Sequence, residues 1–126
     1  MTLIEFALPA RLMSMNDRDH WSKQRRLARA WREAAAFHAL DQVRPPRRLG
    51  PSLVELELPV IGNLRRDPHN YAPTLKHTVD GLVDAGLWPD DTPEHVRTLE
   101  PRLVVITRAS AQLARVRITI TPRSST

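Results

Sequence analysis

The sequence predicts a small α+β domain: a mixed sheet of about four strands with two helices packed on it, in the order β-α-β-α-β-β. Three observations lead there. Several short segments alternate apolar and polar residues, the period of a half-buried strand. Two longer segments repeat apolar residues every three to four positions, the period of a helix packed on one side. And 126 residues give room for one core, burying roughly two thirds of the unfolded chain's surface. A sheet layer under a helix layer gives each apolar face a partner.

The elements follow in order. Thr2 to Leu8 places Ile4, Phe6 and Leu8 on one side and Glu5 on the other, a strand stopped by Pro9. MTLIEFALPARLM has no basic leader and no small-residue cleavage site, so it reads as this strand and not as a signal peptide. A polar loop from Ala10 to His20 contains Asn16 and Asp17. From Trp21 to Leu40 the period becomes helical, with Leu27, Trp31, Ala34 and His38 as the stripe, reinforced by Ala30 and Phe37. Trp21 and Trp31 are expected to be core anchors, and His38 a core or interface histidine. The opposite side carries Lys23, Arg25, Arg26, Arg29 and Arg32.

Arg44 to Pro51, RPPRRLGP, cannot continue a helix and forms a basic connector. Ser52 to Leu58 is the second strand, with Val54, Leu56 and Leu58 inward against Glu55 and Glu57. A polar loop, Gly62 to Asn70, leads to a second helix over Asn70 to Ala85, striped by Leu75, Val79, Leu82 and Val83. Pro73 falls in its first turn and Gly86 suits its stop. Leu87 to Glu94 is a loop holding Trp88, Asp90 and Asp91. Val96 to Ile106 is a third strand, bent or interrupted at Pro101. Arg108 to Gln112 is expected to be a hairpin turn into a last strand, Arg115 to Thr121. The domain spans 1–121, and 122–126 is expected to be a disordered tail.

Composition narrows the chemistry. Nineteen Lys and Arg against fourteen Asp and Glu give +5, which favours a polyanionic partner. No run reaches the roughly 18 apolar residues of a membrane span. With no cysteine there is no disulfide, zinc-thiolate site or thiol nucleophile, and the expected compartment is the cytoplasm. GxxxxGK[ST], GxGxxG, HExxH and GxSxG are all missing, so no nucleotide cofactor is expected.

The chemistry-bearing stretch is RRDPHNYAPTLKHTVDGLVDAGLWPDD, Arg65 to Asp91. Asp67 precedes the second helix, and Asp90 and Asp91 follow it. That helix is about 23 Å long, so Asp67 and Asp91 can meet only if the chain after Gly86 runs back along it. Converging carboxylates without cysteine would suit Mg²⁺ or Mn²⁺, with His69 beside Asp67 the one histidine placed to join them. Read blandly, Asp-Pro and Pro-Asp-Asp are turn sequences, and Lys76 with Asp80 one turn later is a surface ion pair. Read functionally, Lys76 steadies charge on a phosphate, and Trp88 packs to position the loop that carries the aspartates.

These residues resemble the signature of the RusA-type Holliday junction resolvases, crossover junction endodeoxyribonucleases of phages and prophages. The matching elements are Arg65-Arg66-Asp67, Asn70, Lys76, Asp80-x-Leu82, Ala85-Gly86-Leu87-Trp88 and Asp90-Asp91. The resemblance implies a RusA-like fold over 1–121 and a homodimer acting in a bacterial cell or phage-infected host. It implies symmetric cleavage of four-way DNA junctions, with Mg²⁺ or Mn²⁺ as cofactor. Asp67 and Asp91 match the metal-site aspartates and Lys76 the functional lysine. His69 stands where the family pattern has a second acidic ligand, with Asp90 near it. Asn70, Asp80 and Trp88 would support the site. Lys23, Arg25, Arg26, Arg29, Arg32, Arg47, Arg48, Arg65 and Arg66 would grip DNA phosphates. The alternative implied by His69 is a catalytically weakened or inactive junction-binding protein of the same fold. A third reading is a basic domain working only through protein contacts.

Overall fold

The computed structural model describes residues 1–62 and 66–124. Five strands form one mixed sheet: β1 (Thr2–Phe6), β2 (Ser52–Ile61), β3 (Val96–Thr98), β4 (Arg102–Ile106) and β5 (Val116–Pro122). Two helices, α1 (Trp21–Gln42) and α2 (Ala72–Asp84), pack side by side on one of its faces, as the sequence predicts. No helix among the described residues is long and apolar enough to cross a membrane.

The sheet is built around β2, which pairs antiparallel with β5 on one side and parallel with β3 and β4 on the other. β1 closes the far edge against β5. Since β3 and β4 follow each other along one flank of β2, the sheet is four rows wide. The break between them falls at Leu99–Pro101, as the proline predicts.

The expected hairpin at Arg108 to Gln112 does not form. β4 and β5 lie on opposite sides of β2, and a 3₁₀ segment, Arg108–Leu113, carries the crossing chain. β2 takes the central place because its inner residues Val54, Leu56 and Leu58 are all fully buried.

The inner face joins Ile4, Phe6, Val116, Ile118 and Ile120 to Trp31, Ala35 and Ala39 of α1 and Leu75, Val79 and Leu82 of α2. The buried stripe of α1 is therefore rotated from the expected one: Leu27, Ala34 and His38 are only half-buried and Phe37 is exposed. Trp21 is not a core anchor, being 61% exposed. The rotation comes from α2. Gly81 sits so close to α1 that a Cβ there would meet the Arg32 carbonyl oxygen at 2.2 Å, so α1 turns small residues toward it.

α2 stops as predicted. Gly86 adopts φ +92, the Gly86 amide donates to the Val83 carbonyl and the Leu87 amide to that of Leu82. This paired closure answers carbonyls left over at the helix end. At the other end the helix begins at Ala72, after a 3₁₀ turn over Pro68–Tyr71.

The expected tail is partly corrected. β5 includes Pro122, the Arg123 amide donates to the Pro51 carbonyl, and the Arg123 guanidinium donates to the carbonyls of Ser52 and Pro93. Residues 125–126 lie outside the described residues.

Candidate active site

Lys76 and Asp91 line one open cleft of about 590 Å³, between α2 and the segment that ends in β3. Its base is apolar, from Leu75, Val79 and Val96, and Arg97 of β3 adds a second cation at its wall. The two residues reach it by different routes. Lys76 projects from the second turn of α2 and is 66% exposed, with its Nζ 3.6 Å from Asp80 Oδ2. Asp91 arrives because the chain after Gly86 turns back toward the sheet.

That return is pinned at several points. The Leu49 amide donates to the Leu87 carbonyl at 2.7 Å. Leu87 and Trp88 are buried, and Trp88 Nε1 donates to the Gly50 carbonyl and Ser52 Oγ, each at 3.2 Å. The basic connector 44–51 thus acts as a brace for the aspartate loop. Within the loop, Asp90 Oδ1 accepts from the Thr92 amide at 3.0 Å and from Thr92 Oγ1 at 2.6 Å. The Thr92 hydroxyl and amide hold the Asp90 carboxyl below the usual carboxylate range. Its oxygens close a local turn.

Asp67 lies elsewhere. It caps the 3₁₀ turn before α2, with Oδ1 accepting from the His69 amide at 3.0 Å, and it does not line the cleft. His69 Nδ1 is 3.5 Å from Glu100 Oε1 on the link between β3 and β4. Asn70 serves through its backbone: its carbonyl accepts from the Met15 amide at 2.8 Å, tying the 10–20 loop to the entrance of α2. Thr74 Oγ1 strengthens that tie, accepting from the Met13 amide and donating to the Met13 carbonyl, both at 2.8 Å.

The sequence-predicted set is therefore divided. Lys76 and Asp91 share the cleft with Asp80 behind the lysine, whereas Asp67 and His69 sit at the start of the 3₁₀ turn and Asp90 is turned to Thr92. Among the described residues no three Asp, Glu or His side chains are gathered closely enough to hold a metal ion. In the cleft itself, among the described residues, only the Asp91 carboxylate is available to Mg²⁺, which keeps several waters and takes one or two carboxylates together with phosphate oxygens. Arg97 and Glu100 were missed in the sequence. The signal was available for Arg97, since it alternates with inward Val96.

The basic residues also separate. Arg32 gives Nε and one terminal nitrogen to Asp84 at 2.5 and 2.8 Å, and this pair pulls the Asp84 carboxyl down and the guanidinium up. Arg47 donates to the Leu40 carbonyl and Arg66 to that of Ile61. Lys23 pairs with Asp19 and Arg29 with Glu33, at 3.6 and 3.9 Å. Arg25 lies 4.7 Å over the ring of Trp21, while Arg26 and Arg48 are exposed. Arg65 lies outside the described residues. On the uncovered sheet face, Glu5, Arg117, Glu57 and Arg102 alternate across four strands as a charge ladder.

Compared with known proteins, the chain matches no family model, no curated protein and no solved structure.

Proposed function

We propose that this protein is a metal-dependent endonuclease of branched DNA that resolves four-way junctions as a homodimer in the cytoplasm of a bacterial cell or phage-infected host. The observation that carries this reading is the meeting of Lys76 and Asp91, from separate elements, in one cleft with Arg97 at its wall. Lys76 and Arg97 attract and orient a phosphodiester. Asp91 would offer carboxylate oxygens to the cation, whereas Asp67, at the 3₁₀ turn before α2, lies outside the cleft. A bound Mg²⁺ or Mn²⁺ would supply an acidified water and neutralise phosphate charge. Arg26 and Arg48, with the cationic outer side of α1, give salt-sensitive backbone contacts. A two-fold dimer suits a substrate with two symmetric cut sites.

A second reading, a junction-binding protein without cleavage, is favoured by one specific feature. Asp67 and Asp90 both have carboxylate oxygens engaged in local turns.

The test is cleavage of a labelled four-way junction beside linear duplex, with Mg²⁺, Mn²⁺ or chelator. Paired symmetric nicks, lost in Asp91→Asn and Lys76→Ala while junction binding persists, support the endonuclease. Salt-sensitive junction binding without nicks under either metal supports the binding protein.

A further inference from the structure

Tryptophan occurs three times in the chain, and the three are treated differently. Trp31 and Trp88 are 0% and 1% exposed, with their indole N–H groups donating to Arg11 O and to Gly50 O and Ser52 Oγ. Trp21, by contrast, is 61% exposed. A ring of that size usually contributes its large apolar area to a core, and this one stands outside it.

Two features give the exposed ring an orientation. The Arg25 guanidinium lies over it at 4.7 Å, and the His20 ring sits 5.3 Å away at a tilt of 36°. The position in the fold is equally defined. Arg25 shares a groove with His77, and Arg32 pairs with Asp84, so α1 and α2 run side by side in the same direction. Trp21, one turn before Arg25, therefore lies at the end where α2 begins. The preceding loop is fastened there through Met13–Thr74 and Met15–Asn70. Lys76 leaves α2 from that same end.

We propose that Trp21 is a stacking platform for an unpaired nucleobase, presented at the end of the helix layer where α2 begins. Every base has a π-face, and its flanking phosphates would meet Arg25, which lies over the ring, with Lys23 and Arg26 exposed at neighbouring positions of α1. A positively charged surround suits a nucleic acid better than an apolar protein partner. The inference rests on the DNA-directed reading above and deepens it: the substrate is DNA with a base out of the stack, such as a branch point.

The burial of the other two tryptophans makes the test direct, because solvent-quenchable emission belongs to Trp21. Fluorescence is titrated with oligothymidylate, with an abasic sugar-phosphate chain of equal length, and with a four-way junction. Stacking gives quenching by oligothymidylate and the junction but not by the abasic chain. Trp21→Ala lowers affinity for oligothymidylate about tenfold while leaving the abasic chain's unchanged, and Trp21→Phe recovers most of the loss. Unchanged emission of Trp31 and Trp88 checks the fold of each variant. Equal quenching by the abasic chain, or salt-sensitive DNA binding with no quenching, overturns the stacking role alone. Concentration-dependent shielding of Trp21 without DNA overturns it in favour of an interface between copies. Absence of any DNA binding overturns both this inference and the function on which it rests.

Discussion

Gly81 of α2 lies against the Arg32 carbonyl of α1 so closely that even a methyl group would overlap it, at 2.2 Å, and would meet Ala35 Cβ at 2.8 Å. Both helices depend on this approach for their seating on the sheet. Neither obstacle is the flexible end of a long side chain, so the overlap can be relieved only by moving a helix.

Gly81→Ala is accordingly destabilising, although alanine is the better helix former by about 1 kcal/mol. Overpacking costs typically about 1–3 kcal/mol, and a backbone oxygen at this distance puts the site at the upper end. A urea titration should show a net loss of about 2 kcal/mol. A midpoint equal to or above the parent's would contradict the close approach.

Arg32 and Asp84 test how much a partly exposed ion pair contributes. Their side chains are 51% and 40% exposed, so screening limits the pair to under about 1 kcal/mol. Asp84 titrates below the ordinary range because Arg32 donates to it. The stabilisation is thus complete above the unfolded carboxylate value near 3.9 and is lost as pH falls through the lower folded value. Arg32→Ala should reduce stability slightly at pH 7 and not at all near pH 2, compared by denaturant midpoints. If the protein binds DNA junctions as proposed, junction affinity should fall less than in Arg26→Ala, whose side chain is exposed.

His77 should shape the next pH interval. Burial lowers its affinity for a proton below that of the unfolded chain, against the opposing pull of Asp80. Below about pH 6.5 the unfolded chain then binds more protons, and stability falls as pH drops. His77→Gln should flatten the decline between pH 7.5 and 5.5 measured by urea midpoints. An unchanged slope would show that this imidazole is not the source.

Thr74 joins α2 to the 10–20 loop from a fully buried position. Thr74→Val keeps the shape but leaves the Met13 amide and carbonyl without their partner, at a cost of about 1–3 kcal/mol. Amide exchange at Met13 should accelerate more than exchange in β2. Protection equal to the parent's would place the loop's anchorage elsewhere.

Trp88→Phe removes the indole N–H that reaches Gly50 and Ser52. If the protein is the proposed endonuclease and the brace positions Asp91, junction cleavage falls while junction affinity holds. Equal losses in both would point to general unfolding of the loop.

Much of this arrangement was legible in the chain itself. Val54, Leu56 and Leu58, alternating with Glu55 and Glu57, identify the inner face of β2, and Gly86 marks the stop of α2, because both depend on residues a few positions apart and on local backbone geometry. What tertiary structure alone decided involves partners distant in sequence. The alternation of 102–106 and 116–122 is the same whether those strands form a hairpin or flank β2. The amphipathic pattern of α1 accommodates two rotations, and only Gly81 on another helix selects the one that buries Ala35 and Ala39. Trp21 and Trp31 are both expected in the core from residue type, yet one is buried and one presented. Lys76 and Asp91 share a cleft because the 44–51 connector holds the returning chain. Periodicity is a property of one segment, whereas partnership is set by competition among all the surfaces that must be buried together.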